Sequence, residues 1–598
     1  MSSATFEDLK TAAQAWIDAD PDSQTQAELR ELLAAPDPAS TDLADRFAGG
    51  LEFGTAGLRG VIGAGPNRMN RAVVLRTTWA VAKYLASQAP LGPDEKDGKD
   101  AKVRGVVIGF DGRTMSREFA ADVASVLASQ NIPAHVFEDP VPTPLVAFAV
   151  KHLSSAAGVM ITASHNPPEY NGYKLYWGNG AQIVPPVDVD VANLIAQAPA
   201  ARDVPRMARA NAQKAALFHP LGPSIERAYL DAVRGLEVHS GGARDLRIVY
   251  TPLHGVGDRL LRIALAEAGF ANVTSVPEQQ KPDGRFPTVA FPNPEEHGAM
   301  DLAYALARRE KAELVLANDP DADRLAVAIP DANAPSGYVQ FTGNQVGVLL
   351  GHYLLTERSA APGQKRLVIA SLVSSPMLGA IALALGVRYE ETLTGFKWIA
   401  HRAMQLESEG YPFVFGYEEA IGYTVGEVVR DKDGISAAVL TAEIAAILKE
   451  RGRTLQDELE ALARKYGLYV SGQVNVTRKG AAGAEELRGW MQRLRENPPA
   501  RVGALTVNAV VDIAAGTRRI VADGKTESLA LPSSNVIVLE LSGRARIIVR
   551  PSGTEPKIKC YFDFREPVLE SEAFADAEQR GRATLDALAA RFKTILGI

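Results

Sequence analysis

A serine and a histidine stand side by side after an apolar run. Residues 158–172 read GVMITASHNPPEYNG. Val159, Met160 and Ile161 favour a strand, and Pro167 and Pro168 stop a strand or helix from continuing. The resulting stiff loop holds the Ser164 hydroxyl beside the His165 imidazole, as a nucleophile or a group carrier requires. Alone, it reads equally as a tight turn bonding its own backbone, or as an acyl-transfer nucleophile. Asp319, Asp321 and Asp323 fall at i, i+2 and i+4. In an extended loop all three carboxylates share one side and repel unless a cation sits between them, and hard oxygen ligands suit Mg²⁺. An EF-hand is excluded, because its sixth position would be Arg324 and its twelfth Pro330. Arg324 adjoins the carboxylates and could hold an anionic oxygen.

Further loops carry matching chemistry. Arg550-Pro-Ser-Gly-Thr-Glu-Pro-Lys offers a guanidinium fork at Arg550, hydroxyls at Ser552 and Thr554, and close backbone approach at Gly553, which together read as a phosphate cradle, with a plain hairpin loop as the alternative. It lacks the Gly-Lys-Ser/Thr opening of a Walker A loop. Phe53-Gly-Thr-Ala-Gly-Leu-Arg-Gly is a glycine-rich loop with one arginine, Arg59, that suits an anion or a plain turn. Glu418 and Glu419 lie in a glycine-flanked loop, where they could accept bonds from sugar hydroxyls, act as an acid/base pair, or be a solvated turn. Lys432 reads first as a surface lysine, with Ser436 as the expected cap of the next helix. Lys174 is ambiguous in the same way.

The elements that must position these loops alternate strand and helix. Residues 1–50 suggest a helical extension, with Phe6, Leu9, Ala13 and Trp16 on one face. Then come a helix at 71–88, an exposed linker at 91–102, a strand at 106–108, a helix at 117–130 capped by Ser116, and a strand at 132–137. Strands at 246–250, 313–317 and 325–329 make a second block. Strands at 366–370, 388–392 and 413–415 make a third. Each block delivers a Gly- and charge-rich loop at a strand end, where open α/β sheets bind ligands. From 503 to 563 the pattern is antiparallel, followed by an amphipathic helix at 571–595. The expected fold is therefore α/β: three consecutive mixed-sheet domains and a C-terminal α+β domain around one central cleft. The expected boundaries are 1–210, 211–333, 334–455 and 456–598.

Bulk properties agree. The 598 residues exceed one core, and 46% hydrophobic with 23% charged residues is ordinary for a globular protein. A net charge of −7 argues against nucleic-acid binding. The single cysteine, Cys560, excludes an intramolecular disulfide and a cysteine metal cluster, and its apolar surroundings suggest core packing. No transmembrane run or signal peptide is read, so the expected location is cytoplasmic, without a membrane partner.

Taken together, the motifs resemble the α-D-phosphohexomutase family of phosphoglucomutases and phosphomannomutases. They occur in the family's order across nearly the whole chain. Thr162-Ala-Ser-His-Asn-Pro is similar to the family's phosphoserine loop and Asp319-Pro-Asp-Ala-Asp-Arg to its metal loop. Gly416-Tyr-Glu-Glu-Ala-Ile-Gly-Tyr looks like the long phosphoglucomutase and phosphopentomutase branch. The resemblance implies a monomer or homodimer acting on small sugar phosphates. Ser164 would carry a phosphoryl group, one Mg²⁺ would sit on Ser164, Asp319, Asp321 and Asp323, and glucose 1,6-bisphosphate would be the primer and intermediate. It implies that Arg59 and Arg324 stabilise the transferring group, that His165 and Lys432 move protons, and that Lys174 lies near the phosphoserine. Glu418, with Glu419, would bind sugar hydroxyls; Arg550, Ser552, Gly553 and Thr554 would clamp the other phosphate. Ala420 departs from the family's usual serine, which removes one contact that could separate glucose from mannose or a pentose. Interconversion of glucose 1-phosphate and glucose 6-phosphate leads, with phosphomannomutase or phosphopentomutase activity as the near alternative. A hydrolase with an aspartyl-phosphate at Asp319, or a sugar-phosphate sensor, is the more distant reading.

Overall fold

Short apolar runs form the sheet centres. Val106–Phe110, Ala157–Ile161 and Leu314–Ala317 are buried at every position, the pattern of strands covered on both faces. The computed structural model describes residues 6–35, 41–54, 57–87, 101–361, 363–478, 480–551 and 557–597. It divides into two compact units: Met1–Phe341 with Ile421–Ala446, and Thr342–Ala420 with Ile447–Ile598.

In the first unit, among the described residues, one sheet has six strands in the order Leu58–Val61, Tyr170–Trp177, Ala157–Ile161, Val106–Phe110, Ala134–Phe137, Phe218–Leu221. The last four are parallel and the first two antiparallel, a mixed sheet. Its sixth strand lies beyond residue 210, the expected end of the block, because the chain returns to pair beside Ala134–Phe137. Helices Arg71–Ser87 and Ser116–Ser129 share a core with it that includes Val81, Leu85, Phe119, Val123 and Leu127. Each such side chain contributes about 1.5–3 kcal/mol on burial. The N-terminal helices Phe6–Ala19 and Ser23–Ala34 pack in a small cluster of their own with Leu43 and Ala64.

The second sheet of this unit runs Tyr338–Gln340, Ala326–Pro330, Leu314–Ala317, Ile248–Thr251, Val273–Ser275, again mixed. Residues 421–446, grouped by sequence with the third block, belong to this unit. The backbone of Gly434 approaches the Arg324 carbonyl so closely that an added Cβ would lie 2.3 Å away.

In the second unit, Leu367–Ser371 runs parallel between Arg388–Thr392 and Phe413–Glu418. The C-terminal sheet is antiparallel, with Leu468–Thr477, Lys557–Glu566, Arg546–Pro551, Ile537–Leu541 and Leu505–Asp512 as successive neighbours. Helix Phe574–Leu596 lays Leu585, Leu588 and Phe592 on its apolar face. Cys560 is buried there as a free thiol, which burial pushes up to about 12. The fold is thus α/β with mixed sheets plus a C-terminal α+β domain. Among the described residues no helix is long and apolar enough to cross a membrane.

Two caps differ from expectation. Met115, in the left-handed region at φ 66°, precedes the helix at Ser116, whose hydroxyl donates to Asp111 instead (2.7 Å). Helix Gly434–Glu450 is capped by Asp433, whose Oδ1 accepts from the Ile435 and Ser436 amides (3.0 and 3.2 Å), so Ser436 is already inside it. Residues 91–100 of the expected linker lie outside the described residues.

Candidate active site

Three strands of the first unit end in polar loops. After Ile161, the Thr162 hydroxyl donates to Asp111 Oδ2 (2.6 Å) and accepts from the Ser164 amide (2.8 Å). Asp111 itself ends the neighbouring strand. Ser164 is 2% exposed and sits at φ 52°, a left-handed conformation that a non-glycine residue holds only when its surroundings enforce it. Its Oγ donates to Asp319 Oδ2 at 2.6 Å and lies 3.2 Å from His165 Nδ1. Burial, then the Arg324 and Arg59 guanidiniums, hold the His165 imidazole well below its usual range, so it is neutral at pH 7. Asn166 turns back through its amide to the Ala163 carbonyl, and the prolines follow.

The aspartate loop follows Leu314–Ala317. It is a turn rather than the extended segment expected, with the Ala322 amide bonding the Asp319 carbonyl and Ala322 at φ 55°. The carboxylates converge all the same: one oxygen from each of Asp319, Asp321 and Asp323 lies within 4.8 Å of the others, and all three residues are buried. Thr143, at the start of helix Thr143–His152, donates its hydroxyl to Asp321 Oδ2 (2.6 Å) and its amide to the Asp321 carbonyl (2.9 Å).

Both ambiguous lysines are inside. Lys174, 1% exposed in the strand opposite Met160, donates to Asp321 Oδ2 (2.7 Å) and Asp323 Oδ2 (2.8 Å). Lys432 is not a surface residue: it is buried, with Nζ 3.2 Å from both Asp323 Oδ2 and Asp431 Oδ1. Gly422 makes room for it, since a Cβ there would lie 2.4 Å from Lys432 Cδ. Asp431 Oδ2 is held by the Tyr176 hydroxyl and the Gln182 amide (2.8 and 2.7 Å). Burial, then the neighbouring Asp321 and Asp323, push Asp319 well above the carboxylate range. Burial would raise Asp323 as well, but Lys174, Lys432 and Arg324 hold it below that range.

Arg59 lies on Leu58–Val61 opposite Gly172 and donates to Asn166 Oδ1 (2.7 Å). Burial draws its guanidinium down to about 10 against the pull of Asp321. Gly57, at φ 84°, brings its backbone so near that a Cβ would lie 2.4 Å from the Tyr173 carbonyl. Arg324 Nε stands 4.0 Å from Asp323 Oδ1. Thr55 and Ala56 of the glycine-rich loop lie outside the described residues.

The cluster fits a hard divalent cation. Asp321 Oδ1 and Asp323 Oδ1 are buried without a hydrogen-bond partner. Such atoms are costly in a closed interior and are the natural ligands of a metal.

In the second unit, Glu418 ends Phe413–Glu418 and accepts the Gly395 amide (2.7 Å), at the N-terminus of helix Phe396–Ser408. The Glu419 amide donates to Ser374 Oγ (3.0 Å), and its Oε2 accepts from Ser371 Oγ (3.2 Å). Arg550 is half-buried opposite Lys559. Ser552, Gly553 and Thr554 lie outside the described residues.

Comparison with known proteins decides what this assembly belongs to. Models of phosphoglucomutase/phosphomannomutase alpha/beta/alpha domains I, II and III match residues 50–202, 227–332 and 342–466, and the C-terminal domain model matches 507–579. A phosphopentomutase of Homo sapiens is 38% identical over 582 residues, covering 93% of this chain and 91% of that protein. The chain belongs to the phosphoglucomutase/phosphomannomutase family. A phosphoglucomutase of Staphylococcus aureus (strain bovine RF122 / ET3-1) is 35% identical, covering 88% of this chain and 92% of its own. A solved phosphoglucomutase/phosphomannomutase family protein from Burkholderia thailandensis shares the fold at TM-score 0.59 and 18% identity, covering 90% of this chain and 97% of its own. As a family member the chain is an intramolecular phosphotransferase of the isomerase class.

Several residues at the family site carry no role in the sequence reading. Asp111, Arg113, Thr143 and Asp431 touch the serine loop, the aspartates or Lys432, and Tyr176 and Gln182 hold Asp431 in turn. The Asp111-Gly-Arg113 run at a strand end was the available signal. Thr143 and Gln182 had none, because only the fold brings them in.

Proposed function

We propose that the chain is a phosphoserine-dependent sugar-phosphate mutase whose leading substrate pair is glucose 1-phosphate and glucose 6-phosphate. The carrying observation is the buried Ser164 Oγ, 2.6 Å from Asp319 Oδ2 and 3.2 Å from His165 Nδ1, beside a carboxylate cluster with unmatched oxygens. In the forward step the bond from phosphorus to Ser164 Oγ breaks and a bond to a sugar hydroxyl oxygen forms. The sugar hydroxyl gives up its proton and the departing Ser164 Oγ takes one up, with His165 and Lys432 as the residues that move these protons. The bound bisphosphate then returns its other phosphoryl group to Ser164, so glucose 1,6-bisphosphate is both intermediate and primer. Mg²⁺ on Asp319, Asp321, Asp323 and the phosphoserine would supply charge neutralisation at the transferring group. Arg59 and Arg324 offset further charge, and Lys174 holds the outer oxygens of Asp321 and Asp323. Glu418 and Glu419 are the proposed partners of sugar hydroxyls. Arg550, Ser552, Gly553 and Thr554 are the proposed partners of the second phosphate. A cytoplasmic location and small-molecule partners alone complete the reading.

A pentose phosphate is the second reading. Ala420 offers no hydroxyl to a sugar, and the phosphopentomutase of Homo sapiens is 38% identical. Measurement of kcat/KM for glucose 1-phosphate, mannose 1-phosphate and ribose 1-phosphate, with Mg²⁺ and a trace of bisphosphate, separates the readings. A clear preference for glucose 1-phosphate is expected. Equal values, or a preference for ribose 1-phosphate, would overturn the glucose assignment.

A further inference from the structure

Ser164 sits in a left-handed backbone conformation, and several carbonyls of its loop take side-chain donors. Arg113 supplies them from outside. It is 4% exposed and lies just after strand Val106–Phe110. Its guanidinium donates to the carbonyls of Ser164 (2.7 Å), Pro167 (2.8 Å) and Tyr170 (3.1 Å), and also to that of Asn166. One side chain thus ties the loop from the serine to the start of the following strand. Only a planar fork with five donors can serve so many converging carbonyls; a lysine ammonium has three donors at a single point.

The opposite face of Arg113 meets the block that carries the aspartates. The Phe286 ring centroid lies 4.8 Å from the guanidinium carbon. The two backbones press together beside it: a Cβ on Gly112 would stand 2.8 Å from Pro282 Cβ, and one on Gly284 would stand 2.7 Å from the Thr114 amide nitrogen. Asp111 closes the arrangement. Its Oδ1 accepts the Arg113 amide (3.0 Å), its Oδ2 lies 3.4 Å from Arg113 Nε, and that same Oδ2 accepts the Thr162 hydroxyl that holds the Ser164 amide. The amide and carbonyl of Ser164 are therefore both fixed through the Asp111–Arg113 pair.

We propose that Arg113 is a positioning residue that sets the Ser164 oxygen against the aspartate loop, with Phe286 as its seat. The proposal rests on Ser164 being the phosphoryl carrier. A misplacement of Ser164 by a fraction of an ångström would impair in-line transfer without changing how sugar is held.

The test uses wild-type, Arg113→Lys and Phe286→Leu full-length enzymes, each first phosphorylated with glucose 1,6-bisphosphate and Mg²⁺. Each is mixed with glucose 1-phosphate and quenched, and phosphate on the Ser164 peptide is followed by mass spectrometry, with KM measured in parallel. Transfer in Arg113→Lys is expected to slow about 100-fold with KM within about threefold of wild type, and Phe286→Leu to slow about tenfold. A folded Arg113→Lys enzyme with the wild-type transfer rate, or a loss confined to KM, overturns the proposal. If Arg113→Lys does not fold, an unchanged rate in Phe286→Leu overturns it alone. A wild-type enzyme that never carries phosphate on Ser164 overturns the underlying mutase reading instead, and the positioning role with it.

Discussion

Two ion clusters, a buried one in the first unit and a partly buried one in the second, both set cations against carboxylates and end differently. In the second unit Arg546 donates to Asp563 Oδ2 (2.7 Å), to Glu391 Oε1 (3.0 Å) and to the Ser374 carbonyl. Ser471 donates to the other oxygen of Asp563 (2.6 Å), and Tyr389 donates to Glu391 (3.0 Å). That cluster closes on itself. In the first unit Lys174 pairs with Asp321 and Asp323 and Lys432 with Asp323, yet Asp321 Oδ1 and Asp323 Oδ1 stay without hydrogen-bond partners. Ion clusters that serve only the fold satisfy their acceptors, because an unmet buried acceptor costs about 1–3 kcal/mol. Two open oxygens on converging carboxylates are what a metal ion could take up.

Substitutions should separate the two clusters. Asp319→Asn keeps the shape and, through its one amide oxygen, the bond to Ser164, but gives up the oxygen that accepts the Arg324 amide and removes one like charge. Turnover should fall by roughly 1,000-fold as cation binding weakens, while the metal-free melting temperature holds or rises. A large fall in metal-free stability would instead make the aspartates structural. Arg546→Met should do the reverse, costing about 3–5 kcal/mol in urea denaturation because Glu391 and Asp563 are left uncompensated. Its Mg²⁺ affinity, read by calorimetry, should not change; a shifted affinity would break the contrast.

Acid sensitivity is expected from a third site, in the second unit. His352 stands 3.6 Å from Glu458 beside the Tyr466 ring, and burial, then Lys465, draw it down to about 4 from 6.5. The unfolded chain therefore takes up this proton first. Stability is unaffected above pH 6.5, declines as pH falls through the window, and levels off below pH 4, a loss of about 3 kcal/mol. His352→Phe should flatten that slope in melting scans at stepped pH; an unchanged slope would assign the acid sensitivity to other groups. The smallest effect belongs to the exposed Arg227–Glu267 pair, where Arg227→Ala should leave the melting temperature nearly unchanged in the same scans. A greater loss would mean that surface pairs carry weight here that the contrast assigns to buried ones.

How far the sequence carried differs between these regions for a physical reason. Ser164 and the three aspartates were legible because they follow apolar runs that can only be central strands, and a strand end is a fixed address. The alternation of strand and helix exposed the α/β blocks, and the antiparallel rhythm near the C-terminus exposed the last domain. Lys174 and Lys432 were not legible as buried residues, since a lysine is buried only when the fold brings carboxylates to it, and those lie 147 residues from Lys174 in the case of Asp321. Residues 421–446 follow the third block in the chain, and only tertiary contacts place them with the aspartate loop. The caps failed more locally: Asp433 and Ser436 are both good cap residues, and the backbone chose the earlier one.

The central claim is that Ser164 carries the phosphoryl group. Mass spectrometry of the peptide containing Ser164, after incubation with glucose 1,6-bisphosphate and Mg²⁺ and again after excess glucose 1-phosphate, tests it most directly. The account predicts a single phosphoryl group on Ser164 that exchanges with the added sugar phosphate, and a Ser164→Ala enzyme without turnover. Phosphate on Asp319, or a Ser164→Ala enzyme that turns over at the normal rate, would contradict it.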